Sequence, residues 1–129
     1  MFTYTSLALW HLCGETYEMA FHKKEEFGKK EQELSQMAKA LSHPARIAIL
    51  KVLAERGACI CGTIVEELPL AQSTVSQHLK ELRAAGLIDG TIDGPRSTYR
   101  INWKALERFC ASLQGLHTKL KTKSEKLFQ

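Results

Sequence analysis

The stretch from residue 68 to residue 86, LPLAQSTVSQHLKELRAAG, constrains this chain more than any other. Pro69 ends one short helix, Ala71 and Gln72 make a turn, and Ser73 is a natural N-cap for the helix that follows. Inside that helix Val75, Leu79 and Leu82 recur at four- and three-residue spacing, so they share one buried stripe. Thr74, Ser76, Gln77, His78 and Lys80 are left for its other faces. Gly86 supplies the residue past the helix end, where a positive φ costs a glycine nothing. Taken alone, this is also the pattern of an ordinary surface helix with a solvated polar face. The residues around it change that reading.

Residues 87–92 (LIDGTI) read as a strand, Asp93-Gly94-Pro95 as a turn and residues 97–101 (STYRI) as the returning strand. Asp-Gly between two β-prone runs is a hairpin signal. A hairpin directly after a helix-turn-helix is a wing. The outer residues of the second helix are short, polar and rich in donors and acceptors, which suits base edges and phosphates in a major groove.

Upstream, a helix is expected from Glu15, with Met19, Phe27, Leu34, Met37 and Leu41 set among lysines and glutamates. Gly28 weakens its middle by roughly 1 kcal/mol relative to alanine, so two helices meeting there is an open alternative. Residues 1–14 read as an extra strand or helix docked on a partner subunit, or as partly disordered. Ser42-His43-Pro44 is a break, with Pro44 suited to the first turn of the next helix. Residues 45–56 place Ile47, Leu50 and Leu53 on one face, and Gly57 closes that helix. Residues 58–62 are a connector holding two cysteines, and residues 63–68 are a short helix. Residues 103–128 form a last helix with Leu106, Phe109, Cys110, Leu113, Leu116, Leu120 and Leu127 at helical spacing.

The expected fold is therefore mainly α with a small β-hairpin, a winged helix-turn-helix that dimerises through its N- and C-terminal helices. Residues 1–33 form an N-terminal extension and dimerisation helix, 34–102 the DNA-binding unit and 103–129 a C-terminal dimerisation helix. With 129 residues the chain has a modest core that a dimer interface would help stabilise. Its net charge of +4 permits nucleic-acid binding, although a basic face buried in a partner protein gives the same balance. The four cysteines are too sparse for a secreted disulfide scaffold. The apolar opening run has no positive flank and is too short to span a bilayer. The expectation is a cytoplasmic protein with reduced thiols.

ALSHPARIAILKVL, STVSQHLKELRAAGLI and GPRSTYRI together resemble the ArsR/SmtB family of bacterial metalloregulatory repressors. The likeness runs from about Leu34 to Phe109. It implies a homodimeric repressor on double-stranded DNA, bound to an inverted repeat whose half-sites lie about 34–36 Å apart, and released by an inducer. The implied DNA contacts are Gln72, Ser73, Thr74, Ser76, Gln77, His78 and Lys80 of the recognition helix, with Arg96 and Arg100 of the wing. For Arg100, a plain salt bridge to Asp89 or Asp93 stands equally open.

The resemblance also directs attention to Cys59-Ile60-Cys61-Gly62, since many arsenic- and cadmium/lead-type members carry a Cys-x-Cys there. Soft thiolates suit As(III), Sb(III), Cd(II) and Pb(II), and a helix N-terminus is expected to lower the thiol pKa. The bland alternative is two small buried hydrophobes. The best-known arsenic pattern has a third cysteine three residues on, where this chain has Ile64. The missing thiolate is then Cys13, brought across the dimer as in cadmium/lead-type relatives, or a non-protein ligand. Cys110 reads as core packing. The zinc-type ligand set is absent from the last helix, where His117 reads as a solvated or interface residue. No constitutive cofactor is expected.

Two other readings compete with the metal sensor. One is a thiol redox or persulfide sensor using the same cysteines. The other is a winged-helix protein-interaction module. An enzyme is not expected: there is no phosphate-binding loop or nucleophile–base constellation, Asp89 and Asp93 belong to the wing, and Glu66-Glu67 to a short helix.

Overall fold

The computed structural model describes residues 26–129. The expectations for residues 1–25, Cys13 included, lie outside the described residues. The chain divides into two units between Glu33 and Leu34. Helix α1 spans Lys29–Ala40. It starts just past Gly28, whose carbonyl accepts from Gln32 N, so a helix boundary falls where the glycine weakens the pattern.

Helix α2, Pro44–Arg56, opens on the expected proline at its first turn, and His43 caps it, Nδ1 accepting from Ala45 N at 3.1 Å. Gly57, at φ 77°, closes it. Its buried residues are Ile49, Val52 and Leu53. Ile47, expected inside, is 38% exposed. Apolar residues run almost all round this helix, so periodicity alone does not choose its buried face; packing against α3 and α4 does.

The sheet has three strands where two were expected. Strand β1, Cys59–Ile60, pairs antiparallel with β3, Thr98–Ile101, which also pairs with β2, Ile88–Thr91, giving the order β1-β3-β2. Two residues are too few to show a period-2 pattern, and β1 exists only through its partner. Helix α3, Cys61–Glu67, begins two residues earlier than expected. A 3-10 turn, Gly94–Arg96, joins β2 to β3. Buried Ser97 pins this turn, its Oγ accepting from Asp93 N and donating to Gly94 O.

Helix α4, Gln72–Ala84, is the recognition-helix candidate. Its N-cap is Ala71, with no side-chain cap, so the expectation for Ser73 fails by two positions. A hydroxyl cap contributes typically about 1 kcal/mol. Leu70, just before the helix, is partly buried against the core. The other end follows expectation closely. Leu87 N donates to Leu82 O, Gly86 N donates to Arg83 O, and Gly86 stands at φ 76°, a complete Schellman closure. It delivers Leu87 and Ile88 into the core.

Helix α5, Trp103–Leu127, is capped by Asn102, whose Oδ1 accepts from Ala105 N. It buries Ala105 and Phe109. Leu113, Leu116, Leu120 and Leu127 are exposed. Cys110 is exposed as well, not core packing: it follows buried Phe109 by one residue, about 100° round the helix from the buried face. No helix among the described residues is long and apolar enough to cross a membrane.

Gly90 faces Tyr99 across β2 and β3, and a Cβ added there would overlap the Thr98 carbonyl oxygen. Gly90→Ala should therefore force the hairpin apart at a cost of about 1–3 kcal/mol, read as a lower urea midpoint with an unchanged helical far-ultraviolet signal.

Candidate nucleic-acid interface and thiol pair

Val75, Leu79 and Leu82 are fully buried, and this fixes which way α4 faces. Gln72, Ser73, Thr74, Ser76, Gln77 and Lys80 all lie exposed. His78 does not. It is only 9% exposed, and its Nδ1 accepts from Arg46 Nε at 3.3 Å. The expectation of an outward, DNA-facing His78 is thus corrected. The residue follows Val75 by three positions and precedes Leu82 by four, so it belongs to the buried stripe.

A groove of about 530 Å³ runs along the exposed face, lined by Ser76, Gln77, Lys80, Arg83 and Ala84 of α4 and by Tyr99 of β3. Arg83 and Tyr99 were missed from sequence. Arg83 had a signal, since Ser76, Lys80 and Arg83 stand at i, i+4 and i+7. Tyr99 had none, because the approach of β3 to α4 is tertiary. The groove carries two cations, a phenol and two neutral polar side chains, a set able to take anionic oxygens.

Arg96 stands exposed in the wing turn. Arg100 donates from Nε to Asp89 Oδ1 at 3.2 Å, its partner directly across the hairpin. Both side chains are largely solvated, so the pair contributes at most about 1 kcal/mol and leaves the guanidinium accessible.

The two thiols sit where β1 turns into α3. Cys59 is buried, opposite Tyr99 in the β1–β3 register, and Cys61 is the half-buried first residue of α3. Burial pushes both thiols above the usual range, and for Cys59 the nearby Arg56 guanidinium offsets part of the rise. The expected lowering at a helix N-terminus is overturned. Desolvation is the leading cause at both thiols and works against that lowering. Arg56 is itself bonded to Glu67 at the other end of α3. Among the described residues no group of three or more His, Cys, Asp or Glu could hold a metal ion.

A short helix, a turn, a second helix with a solvated polar face, and a hairpin beside it define a winged helix-turn-helix DNA-binding protein. The family model described as "Helix-turn-helix domain" matches residues 41–91. The chain is 33% identical to the HTH-type transcriptional regulator YgaV of Escherichia coli over 86 residues, 67% of this chain and 87% of that protein. It is 41% identical to the HTH-type transcriptional repressor SmtB of Mycobacterium tuberculosis over 66 residues, 51% of this chain and 48% of that one. Among solved structures, a possible transcriptional regulator for arsenical resistance superposes with a TM-score of 0.55 at 26% identity, covering 63% of this chain and 82% of its own. The chain belongs to the ArsR/SmtB family of winged-helix transcriptional regulators, proteins that bind DNA and are not enzymes.

Because the fold raises both thiol pKa values, alkylation of Cys59 and Cys61 should accelerate only at higher pH than for the same thiols in urea-unfolded protein. Iodoacetamide labelling against pH, read by peptide mass spectrometry, checks this; native rates equal to or above the unfolded ones at neutral pH would contradict it.

Proposed function

We propose that the chain is a homodimeric repressor that occupies an inverted-repeat operator and releases it when a thiophilic metalloid or metal binds Cys59 and Cys61. The observation that carries this reading is the position of the thiol pair. Cys59 lies directly across the ladder from Tyr99, which lines the groove along α4. A ligand that draws Cys59 toward Cys61 pulls on the strand that holds the wing. A coupling of about 1–3 kcal/mol between the two sites is enough for regulation.

DNA is read by the exposed face of α4, through Gln72, Ser73, Thr74, Ser76, Gln77 and Lys80, with Arg83 and Tyr99 added and His78 removed. Arg96 and Arg100 serve backbone contacts from the wing. The apolar residues of α5 that the chain leaves in solvent form the seam of the dimer.

The donor chemistry favours As(III) or Sb(III), with Cd(II) or Pb(II) next. Two sulfurs fit the start of such a site, and Cys13 or a non-protein ligand completes it. The thiols are protonated at neutral pH, so binding expels protons and weakens in acid. Burial of Cys59 disfavours the redox or persulfide reading, which works best with an exposed thiol. The solved neighbour described for arsenical resistance supports the same choice.

Fluorescence anisotropy on the promoter DNA, reduced and anaerobic, should show release by arsenite at low stoichiometry, weaker release by Cd(II) and none by Zn(II). Cys59→Ser and Cys61→Ser should bind DNA normally and ignore arsenite, while Cys13→Ser does so only if Cys13 is the third ligand. No release by any of the ions, with DNA binding intact, would discard the metal reading. Lys80→Ala and Arg83→Ala should each weaken binding on every DNA and reduce the log–log salt slope by about 1, from a wild-type slope of about −4 to −5. An unchanged slope in both would remove α4 from the phosphate backbone.

A further inference from the structure

Arg46 makes two directed bonds to elements other than its own. From α2, its Nε donates to His78 Nδ1 at 3.3 Å and its Nη1 donates to the Ala40 carbonyl at 3.2 Å. One planar guanidinium thereby joins the last carbonyl of α1, the body of α2 and the middle of α4. His78 is flanked in sequence by Gln77, on the exposed face, and Leu79, in the core. Burial of Val75, Leu79 and Leu82 selects the face that α4 turns to the core. A hydrogen bond to a ring in the same stripe adds a directional constraint to that packing.

The bond also dictates a protonation state. Nδ1 of His78 accepts, so the ring is neutral with its proton on Nε2. The His43 ring lies 4.4 Å away between centroids, tilted by 42°, and its own Nδ1 accepts from Ala45 N as the cap of α2. A proton placed on His78 Nδ1 would set donor against donor at Arg46. It would also add a positive charge beside a permanent one. Among the charged groups around it, His43 and Arg46 from α2 oppose the cation and Glu81 on α4 favours it. Of the carboxylates on the elements packed against α4, Glu67 of α3 is paired with Arg56 and Asp89 of β2 with Arg100; Glu66 is exposed on α3.

We propose that Arg46 is a positioning residue that sets the roll of α4 through His78, and that the lock holds only while His78 is neutral, so operator affinity falls in acid. The inference rests on α4 being the DNA-reading helix. Burial, then His43 and Arg46, hold the His78 pKa below the ordinary histidine value, with Glu81 acting the other way. The sign follows. The bound and folded form takes up its proton later than a free histidine would. Operator binding requires the neutral ring, so affinity is full while His78 of the DNA-free protein is neutral and falls as pH drops through its depressed pKa, below the ordinary histidine value.

The test is operator affinity by anisotropy from pH 8 to pH 5.5 at constant ionic strength, for wild type, His78→Asn, Arg46→Met and Gln77→Ala. Asparagine offers Oδ1 close to the position of Nδ1 and does not titrate. Relative to His78→Asn, wild type should lose affinity toward the acid end, by up to about tenfold for each pH unit below the His78 pKa of the DNA-free protein. His78→Asn should match wild type at pH 8, whereas Arg46→Met should be weaker there and follow the flatter profile. Identical pH profiles for wild type and His78→Asn, with Gln77→Ala impaired, overturn the lock alone. Unchanged binding by Gln77→Ala overturns the reading of α4 itself. Should a variant fail to fold, imidazole 15N shifts of the wild type decide: an Nε2-protonated His78 titrating below the ordinary range supports the lock, and an Nδ1-protonated or normally titrating ring overturns it.

Discussion

The complete burial of Val75, Leu79 and Leu82 against Ile49, Leu53 and Ile64 is the constraint on which the rest of this structure depends. Each such side chain contributes about 1.5–3 kcal/mol when withdrawn from water, more than any single polar contact on the opposite face of α4. The helix is therefore rotated by its core side, and its polar side takes whatever direction remains. That direction carries six exposed polar residues between Gln72 and Lys80 and a groove closed on one side by Tyr99. The Schellman closure at Gly86 extends the same constraint, because it turns Leu87 and Ile88 inward and so sets where the hairpin starts.

Strand β3 is the second organising element, since it is the centre of the sheet. On one side it holds β2 and thus the wing; on the other it holds Cys59. The thiol pair consequently does not sit on an independent loop. Displacement of Cys59 has to be absorbed by a strand that also positions Tyr99 and, one residue on, the Arg100–Asp89 pair. In the proposed repressor, the strand that pairs with Cys59 is thus also the strand that carries Tyr99 and the wing.

Much of this was legible before the structure. The α4 stripe, the glycine closures at Gly57 and Gly86, Pro44 at a helix start and the hairpin all follow from local chemistry. What escaped depends on non-local contacts. Ile47 and Ile49 are equally apolar, and only neighbouring elements decide which is buried. Two-residue β1 has no pattern of its own. Ser73 is a better cap than Ala71, yet the helix starts just after Ala71, with Leu70 partly buried against the core. His78 is the instructive case. Its spacing from Val75 and Leu82 places it in the stripe, but a polar side chain was assigned outward by its chemistry. The signal that resolves the conflict is Arg46, a donor thirty-two positions away in the chain.

Helix α5 shows why accuracy in the roll of α4 matters. Beyond Phe109 it continues for eighteen residues with no residue buried. A solvated helix of that length is only marginally stable, and Leu113, Leu116 and Leu120, at spacings of three and four, gain only from being covered. In the proposed homodimer that cover is the second copy, and the two-fold axis then sets two α4 helices against successive turns of DNA. The two-fold repeats an error in the roll of one helix in the other, so the operator is misread at both half-sites together. A directional bond such as that from Arg46 to His78 has most effect in this arrangement, because each copy of the lock acts on the register of the whole dimer.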